Sequence, residues 1–131
     1  MKITSLNLPA LVGTAVLATV VLAAGPAQAK DVDVKGTTTC STGVKAKLKA
    51  GPRDPGLIKT NVQIDDVGAV RRVWTITVVD GAETRTVAVA TAGASNSINV
   101  DFFTGDDAGA DAVTFTATRA GASCSGSVTV P

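Results

Sequence analysis

The sequence predicts an all-β domain that folds as a sandwich of antiparallel sheets. Three observations support this prediction: stretches in which apolar and polar residues alternate with a period of two, turn residues between those stretches, and an abundance of valine, threonine and isoleucine. The stretches recur about every dozen residues, which is typical of the short strands of a sandwich. Beyond residue 30 no stretch shows the period of a convincing helix.

A separate N-terminal segment precedes the predicted domain. A positive start at Lys2 is followed by an apolar run over residues 8–24 and by a small-x-small pattern that ends at Ala29. This order is typical of a secretory signal peptide, and the run is shorter than the roughly 20 residues of a membrane-spanning helix. We therefore predict a cleaved signal peptide over residues 1–29, one domain over residues 30–131, and no membrane span after cleavage.

The alternation assigns each strand in turn. The predicted strands cover residues 40–50, 57–65, 71–79, 83–91, 97–103, 111–119 and 123–130, with a further short strand at 32–34. Turns are predicted at 51–56, where the sequence is GPRDPG, and at the hairpin signal Asp80-Gly81. About seven antiparallel strands in about 100 residues favour an immunoglobulin-like β-sandwich.

The two cysteines of the chain, Cys40 and Cys124, are predicted to form a disulfide. An even count in an exported chain indicates oxidised cysteines, and only one pairing exists. Because the bond would close a long loop, chain entropy sets an upper limit of about 4–5 kcal/mol on its contribution.

The aromatic residues are few, and two of them have alternative interpretations. Trp74 shares its strand face with Ile76 and Val78, so we place it in the core, packed against the disulfide as in immunoglobulin domains. The alternative for Trp74 is a platform on which a sugar stacks. Phe102 is predicted to point inward, so that Phe103 is either a surface contact residue or buried beneath a loop.

Composition excludes several classes of function. Without Lys2, basic and acidic residues are equal in number, whereas nucleic-acid binders normally carry a basic excess. The chain contains no histidine, which removes histidine-dependent triads, zinc sites and general bases. No carboxylate pair is marked as a catalytic couple by its flanking residues, and no Ser-x-x-Lys motif is present. We therefore predict no catalytic residue, no cofactor and no metal ion.

The motif Asp-Asp-x-Gly-Ala occurs twice, at Asp65–Ala69 and Asp106–Ala110. We interpret both copies as turns between strands, where aspartate accepts local backbone hydrogen bonds and glycine supplies a positive φ. Calcium binding by Asp106, Asp107 and Asp111 is the alternative, although their spacing does not match an EF-hand loop.

A row of lysines is the best-defined surface feature. Lys45, Lys47 and Lys49 alternate on the outer face of one predicted strand, and Arg53 and Lys59 are candidates to extend the row. Such a row can contact an anionic polymer, for example a wall polyphosphate or an acidic glycan. The alternative is a solvated face whose charges prevent edge-to-edge association of sheets.

The order of these features resembles a group of small secreted immunoglobulin-like proteins from actinobacteria. The resemblance covers residues 40–127 and rests on the cysteine pair and on the stretches KAKLKAGPRDPGLIKTNVQID, GAVRRVWTITV and GADAVTFTATRAGASCSG. The group has no assigned activity, so the resemblance implies the fold and export and supplies no catalytic residues.

We expect a secreted, non-enzymatic binding or structural module of the cell envelope or extracellular space. The expected partner is an anionic cell-wall polymer or another extracellular protein, with no role for nucleic acid. The alternative is a small-ligand carrier, similar in outline to the apoproteins of secreted antitumour chromoproteins, whose second disulfide this chain lacks. The sequence predicts neither the ligand nor the oligomeric state.

Overall fold

The computed structural model describes residues 32–68 and 71–131, so the predicted signal peptide lies outside the described residues. Within those ranges the protein contains nine β-strands and no helix. The strands are β1 (Val34–Lys35), β2 (Thr37–Cys40), β3 (Val44–Arg53), β4 (Leu57–Asp66), β5 (Val73–Asp80), β6 (Glu83–Ala90), β7 (Ser97–Gly105), β8 (Asp111–Arg119) and β9 (Ala122–Val130).

The strands form two antiparallel sheets. One sheet has the order β2-β9-β8-β5-β6 and the other has the order β1-β3-β4-β7. Hairpins join β3 to β4, β5 to β6 and β8 to β9. Every other connection passes from one sheet to the other: β1 to β2, β2 to β3, β4 to β5, β6 to β7 and β7 to β8. This arrangement confirms the predicted all-β sandwich, and its connections are of the immunoglobulin-like type.

The strand predictions are accurate from residue 57 onward and only partly correct before it, where residues 44–50 form a strand as predicted and the short strand expected at 32–34 is found at Val34–Lys35. Each of the later strands begins and ends within about two residues of its predicted limits, the usual uncertainty of such boundaries. The strand predicted over residues 40–50 is instead divided, because Cys40 ends β2 and Val44 begins β3. Gly43 lies between them with a φ of 86°, a left-handed conformation that ends the first strand and reverses the chain.

The predicted turn over residues 51–56 is also shorter in the structure. Strand β3 continues to Arg53, and only Asp54–Gly56 forms the turn. Proline is tolerated at position 52 because β1 pairs with β3 only as far as Ala50, so that no bond of the β1–β3 ladder requires the N–H that proline lacks.

Gly51 lets the segment before β1 lie directly against β3. A Cβ atom at Gly51 would stand 2.5 Å from Oδ1 of Asp33 and 2.6 Å from the carbonyl oxygen of Val32. Because a side chain has no room there, the glycine fixes Asp33 beside the outer face of the four-stranded sheet.

The core between the sheets is mainly aliphatic. Its buried residues are Val44, Leu48, Ala50, Ile58, Val62, Ile64, Trp74, Ile76, Val78, Ile98, Phe102, Val113, Phe115, Ala117, Cys124, Val128 and Val130. Each fully buried aliphatic or aromatic side chain contributes about 1.5–3 kcal/mol to folding. Most residues on the inward-facing side of the predicted strands are in this set, whereas Cys40, Ala46 and Val100 are half-buried against it and Thr42 is exposed.

The predicted disulfide between Cys40 and Cys124 is confirmed. The two cysteines lie directly opposite each other on β2 and β9, so the bond fastens the short edge strand β2 to its own sheet. It therefore differs from the disulfide of immunoglobulin domains, which joins the two sheets beside the tryptophan.

The two sheets are instead joined at one end by a polar group, the Asp66 cluster, formed by Asp66, Trp74 and Arg119. Asp66 Oδ2 accepts hydrogen bonds from Trp74 Nε1 at 3.0 Å and from Arg119 Nε at 2.6 Å, and its Oδ1 accepts one from Arg119 Nη2 at 3.0 Å. The Arg119 guanidinium lies 5.5 Å from the centre of the Trp74 ring. Asp66 ends β4, whereas its two partners belong to β5 and β8, so the cluster spans the sandwich.

Pairing with arginine keeps the Asp66 carboxylate ionised although its side chain is only 1% exposed. The hydrogen bond from Arg119 lowers the pKa of Asp66 below its usual value of 3.8, and the bond from Trp74 acts in the same direction against the opposing effect of burial. A group with a lowered folded-state pKa contributes stability above its unfolded-state pKa and loses it as the pH falls through the folded-state value.

Substitution Asp66→Asn is therefore expected to lower the free energy of unfolding at pH 7 by about 2 kcal/mol, because it removes a charged hydrogen-bond acceptor. The stability gap between the wild type and the variant should narrow as the pH falls below about 4. Urea unfolding from pH 2.5 to pH 7 measures this gap. Asp65→Asn, which changes the neighbouring outward-facing carboxylate, is the matched control, and a gap independent of pH would contradict the assignment.

Candidate functional site

The two sheets present different outer faces. The five-stranded sheet carries hydroxyl side chains, and within the described residues the strand positions that share this face bear no charge. These hydroxyl residues are Thr37, Thr39, Thr75, Thr77, Thr84, Thr86, Thr114, Thr116, Thr118, Ser123, Ser125, Ser127 and Thr129. Recognition of a charged ligand by a sheet face is therefore confined to the four-stranded sheet.

The outer face of the four-stranded sheet, called the polar face below, combines lysines with amides and carboxylates. Its residues with a side chain are Lys35, Lys45, Lys47, Lys49, Arg53, Leu57, Lys59, Asn61, Gln63, Asp65, Ser97, Asn99, Asp101 and Phe103. They alternate along the strands with core residues, so the packing of the inner face holds them in place.

The three predicted lysines all lie on the polar face and are exposed. Their neighbours on β4 differ: Asp65 stands opposite Lys45, whereas amides stand opposite Lys47 and Lys49. Within the described part of the chain none of the three forms an ion pair. Lys47 and Lys49 therefore carry positive charge that no facing carboxylate balances.

A further lysine, which the sequence did not indicate, joins this group. Lys35 on β1 stands directly opposite Lys49 on β3, so the two ammonium groups lie on neighbouring strands. Together with Lys47 they border an open groove of about 390 Å³, whose other lining residues are Gly36, Thr38, Ala46, Leu48, Asn61 and Gln63. We call this the lysine groove.

The two candidates to extend the row, Arg53 and Lys59, lie on the polar face, but both are ion-paired. Arg53 Nη2 lies 2.8 Å from Asp33 Oδ1, and Lys59 Nζ lies 3.7 Å from Asp101 Oδ2. Unpaired positive charge on this face is therefore concentrated around the lysine groove.

Beside the lysine groove lies a set of hydrogen-bonded polar side chains, called the amide array, formed by Asn61, Asn99 and Asp101. Asn61 Nδ2 donates to Asn99 Oδ1 at 2.6 Å and to Asp101 Oδ1 at 2.8 Å. These bonds leave Oδ1 of Asn61 and Nδ2 of Asn99 without a side-chain partner among the described residues. A second groove, of about 240 Å³, runs over the array and reaches Asp33, Lys49, Lys59 and Gln63.

The two aromatic alternatives are decided by burial. Trp74 is 0% exposed, so its predicted place in the core is confirmed and the sugar-stacking interpretation is wrong. Phe103 is 48% exposed, so it is not buried beneath a loop. It stands opposite Lys59 on the polar face, two positions along β7 from Asp101.

The second copy of the acidic motif, residues 106–110, lies entirely between β7 and β8 as predicted, whereas the first copy begins inside β4 with Asp65 and Asp66. Gly68 and Gly109 have φ values of 83° and 84°, the positive values expected of turn glycines. Asp66, however, faces inward in the Asp66 cluster, and Asp111 is a buried residue at the start of β8. The described residues contain no group of three or more Asp, Glu, Cys or His side chains placed to hold a metal ion, which gives the calcium alternative no support.

Asp111 is held in an unfavourable environment for a charge. Its Oδ1 accepts only a long bond of 3.4 Å from the backbone nitrogen of Asp107, and its Oδ2 is buried without a partner among the described residues. Burial raises the pKa of Asp111 to about 6, and the negative charges of Asp80 and Asp106 act in the same direction.

None of the described segments is a helix long and apolar enough to cross a membrane. Comparisons of the chain with protein-family models, with characterised proteins and with solved structures give no match. The polar face therefore has to be interpreted from its own chemistry.

The environment of Asp111 predicts a pH-dependent stability difference. A raised folded-state pKa gives stability that is present below the unfolded-state pKa and is lost as the pH rises through about 6. Asp111→Asn cannot ionise, so its stability relative to the wild type should increase by roughly 3 kcal/mol at most between pH 3 and pH 7.

Urea unfolding of the two proteins across that range measures the difference. Asp107→Asn, in the same loop and exposed, is the matched control and should not show the trend. A difference between wild type and Asp111→Asn that does not change with pH would contradict the assignment.

Proposed function

We propose that the protein is exported and acts as a non-enzymatic binding module for an anionic polymer of the cell envelope or extracellular space. The observation that carries the proposal is the lysine groove, where Lys35, Lys47 and Lys49 meet without a carboxylate partner among the described residues. The predicted signal peptide and the disulfide between Cys40 and Cys124 support export, because disulfides persist in oxidising compartments.

A polymer suits this surface better than a compact ion does. The lysine groove is open and continues into the second groove over the amide array, so a bound chain is able to lie along the face. Each exposed charge contributes little by itself, because solvent and salt screen it. Useful affinity then requires several contacts with a repeating anion, and binding should weaken as the salt concentration rises.

The carrier alternative receives less support. A carrier of an apolar small molecule needs a concave pocket lined mainly by apolar side chains. The second groove is bordered by lysine, amide and carboxylate side chains, and the lysine groove, although it also reaches Ala46 and Leu48, is open to solvent and bordered by three lysines. We therefore favour the polymer-binding module, and a protein partner is left as an outcome of the test.

The test is co-sedimentation of the purified protein with cell walls of the producing organism at low and high salt. The variant Lys45→Glu/Lys47→Glu/Lys49→Glu places negative charge along the row, so binding should weaken by at least about tenfold. Wild-type binding should itself fall as salt is added, because the contacts are exposed.

A variant with the same change in net charge separates a local effect from a global one. Arg71→Glu/Arg72→Glu/Arg85→Glu alters exposed arginines away from the polar face and should retain binding. Equal loss in both variants would mean that only net charge matters. Wild-type protein that stays in the supernatant under both salt conditions would contradict the envelope-binding proposal and direct the search to soluble partners.

A further inference from the structure

We infer that the anionic polymer is an acidic polysaccharide, which places its acid groups at the lysine groove, its hydroxyls at the amide array and a sugar ring against Phe103. The inference deepens the proposed function and rests on it. It distinguishes a carboxylated sugar chain from a polyphosphate, which the lysines alone do not separate.

The amide array requires hydrogen-bond donors from its ligand. Asp101 is a carboxylate that only accepts, and the Oδ1 atom of Asn61 also accepts, since the Nδ2 of that residue is already used. Asn99 supplies a donor through its Nδ2. Sugar hydroxyls both donate and accept, so they satisfy the whole array. The oxygens of an inorganic polyphosphate at neutral pH only accept, so they cannot supply the donors that these acceptor atoms require.

Phe103 adds an apolar surface at the same place. Its ring is 48% exposed although most large apolar side chains of the described residues are buried, and it stands on β7 in line with Asp101 and Asn99. The C–H face of a sugar ring packs against an aromatic face, whereas a polyphosphate has no apolar surface to offer. An exposed ring beside amide and carboxylate groups therefore matches a sugar chain.

The extent of the polar face indicates that the ligand consists of several linked sugars. From Phe103 to Asn99 the distance along β7 is about 13 Å, at about 3.3 Å per residue. From β7 across β4 to Lys49 on β3 it is about 10 Å, because neighbouring strands lie about 4.8 Å apart. A single ring cannot contact Phe103 and the lysine groove together, so affinity should rise with chain length.

The experiment compares three probes by isothermal titration calorimetry, using protein expressed from the full sequence. Polygalacturonate has acid groups and hydroxyls, inorganic polyphosphate has acid groups only, and dextran has hydroxyls only. The wild type should bind polygalacturonate most tightly, and oligogalacturonates should bind more tightly as their length increases. Phe103→Ala and Asn99→Ala should each weaken polygalacturonate binding roughly fivefold and leave polyphosphate binding unchanged.

Matched controls come from the outer face of the five-stranded sheet. Val73→Ala removes an exposed apolar side chain and Thr116→Ala removes an exposed polar one, and both should bind as the wild type does. Thermal unfolding of each variant verifies that it is folded.

The outcomes separate this inference from the proposed function. Equal affinity for polygalacturonate and polyphosphate, with no effect of Phe103→Ala or Asn99→Ala, would overturn the polysaccharide assignment and leave the polyanion-binding function standing. Binding of dextran as tight as that of polygalacturonate would overturn the requirement for acid groups. Absence of salt-sensitive binding to either polyanion would overturn both.

Discussion

The carboxylate of Asp66 is the constraint on which the arrangement of the sandwich depends. A buried charge is costly unless it is paired, and the only donors to this carboxylate that the described residues provide, Trp74 and Arg119, belong to the opposite sheet. The two sheets must therefore meet at this end in one relative position. Because side chains alternate along a strand, Asp66 facing inward also fixes Asp65, Gln63 and Asn61 on the outer face. The register of the polar face thus follows from the same contact.

The same alternation of side chains produces a buried core, which stabilises the folded sandwich, and two outer faces with different chemistry. The aliphatic core lies between the sheets, and the disulfide fastens β2 to its own sheet. The five-stranded sheet displays a neutral hydroxyl surface, while the four-stranded sheet displays charges and amides. Residues on that face that are not needed for folding are free to serve recognition. Asn61 and Lys49 lie at its centre, where the two grooves adjoin.

Much of the fold was predictable from the sequence, and less of the candidate site was. Strands with long alternating patterns, such as β8, and the single cysteine pairing follow from local pattern and count. Strand β1 has only two residues, which are too few to show a period of alternation, so the sequence did not place Lys35 beside the other lysines. The amide array joins residues 38 and 40 positions apart, and the Asp66 cluster joins residues 53 positions apart. No local sequence pattern predicts partners so far apart in the chain. Because an Asp-Asp-x-Gly sequence is typical of a turn, the sequence did not predict that Asp66 is buried.

The central claim is that the polar face, and not the hydroxyl face, is the binding surface. The most direct measurement is an NMR titration of ¹⁵N-labelled protein with an oligogalacturonate, in which the backbone amide chemical shift of each residue is recorded at every ligand concentration. The account predicts that the shifts change along β3, β4 and β7, with the largest changes near Lys49, Asn61 and Phe103, and that they stay constant around Thr116. Changes centred on β8 and β9, or no change at saturating ligand, would contradict it.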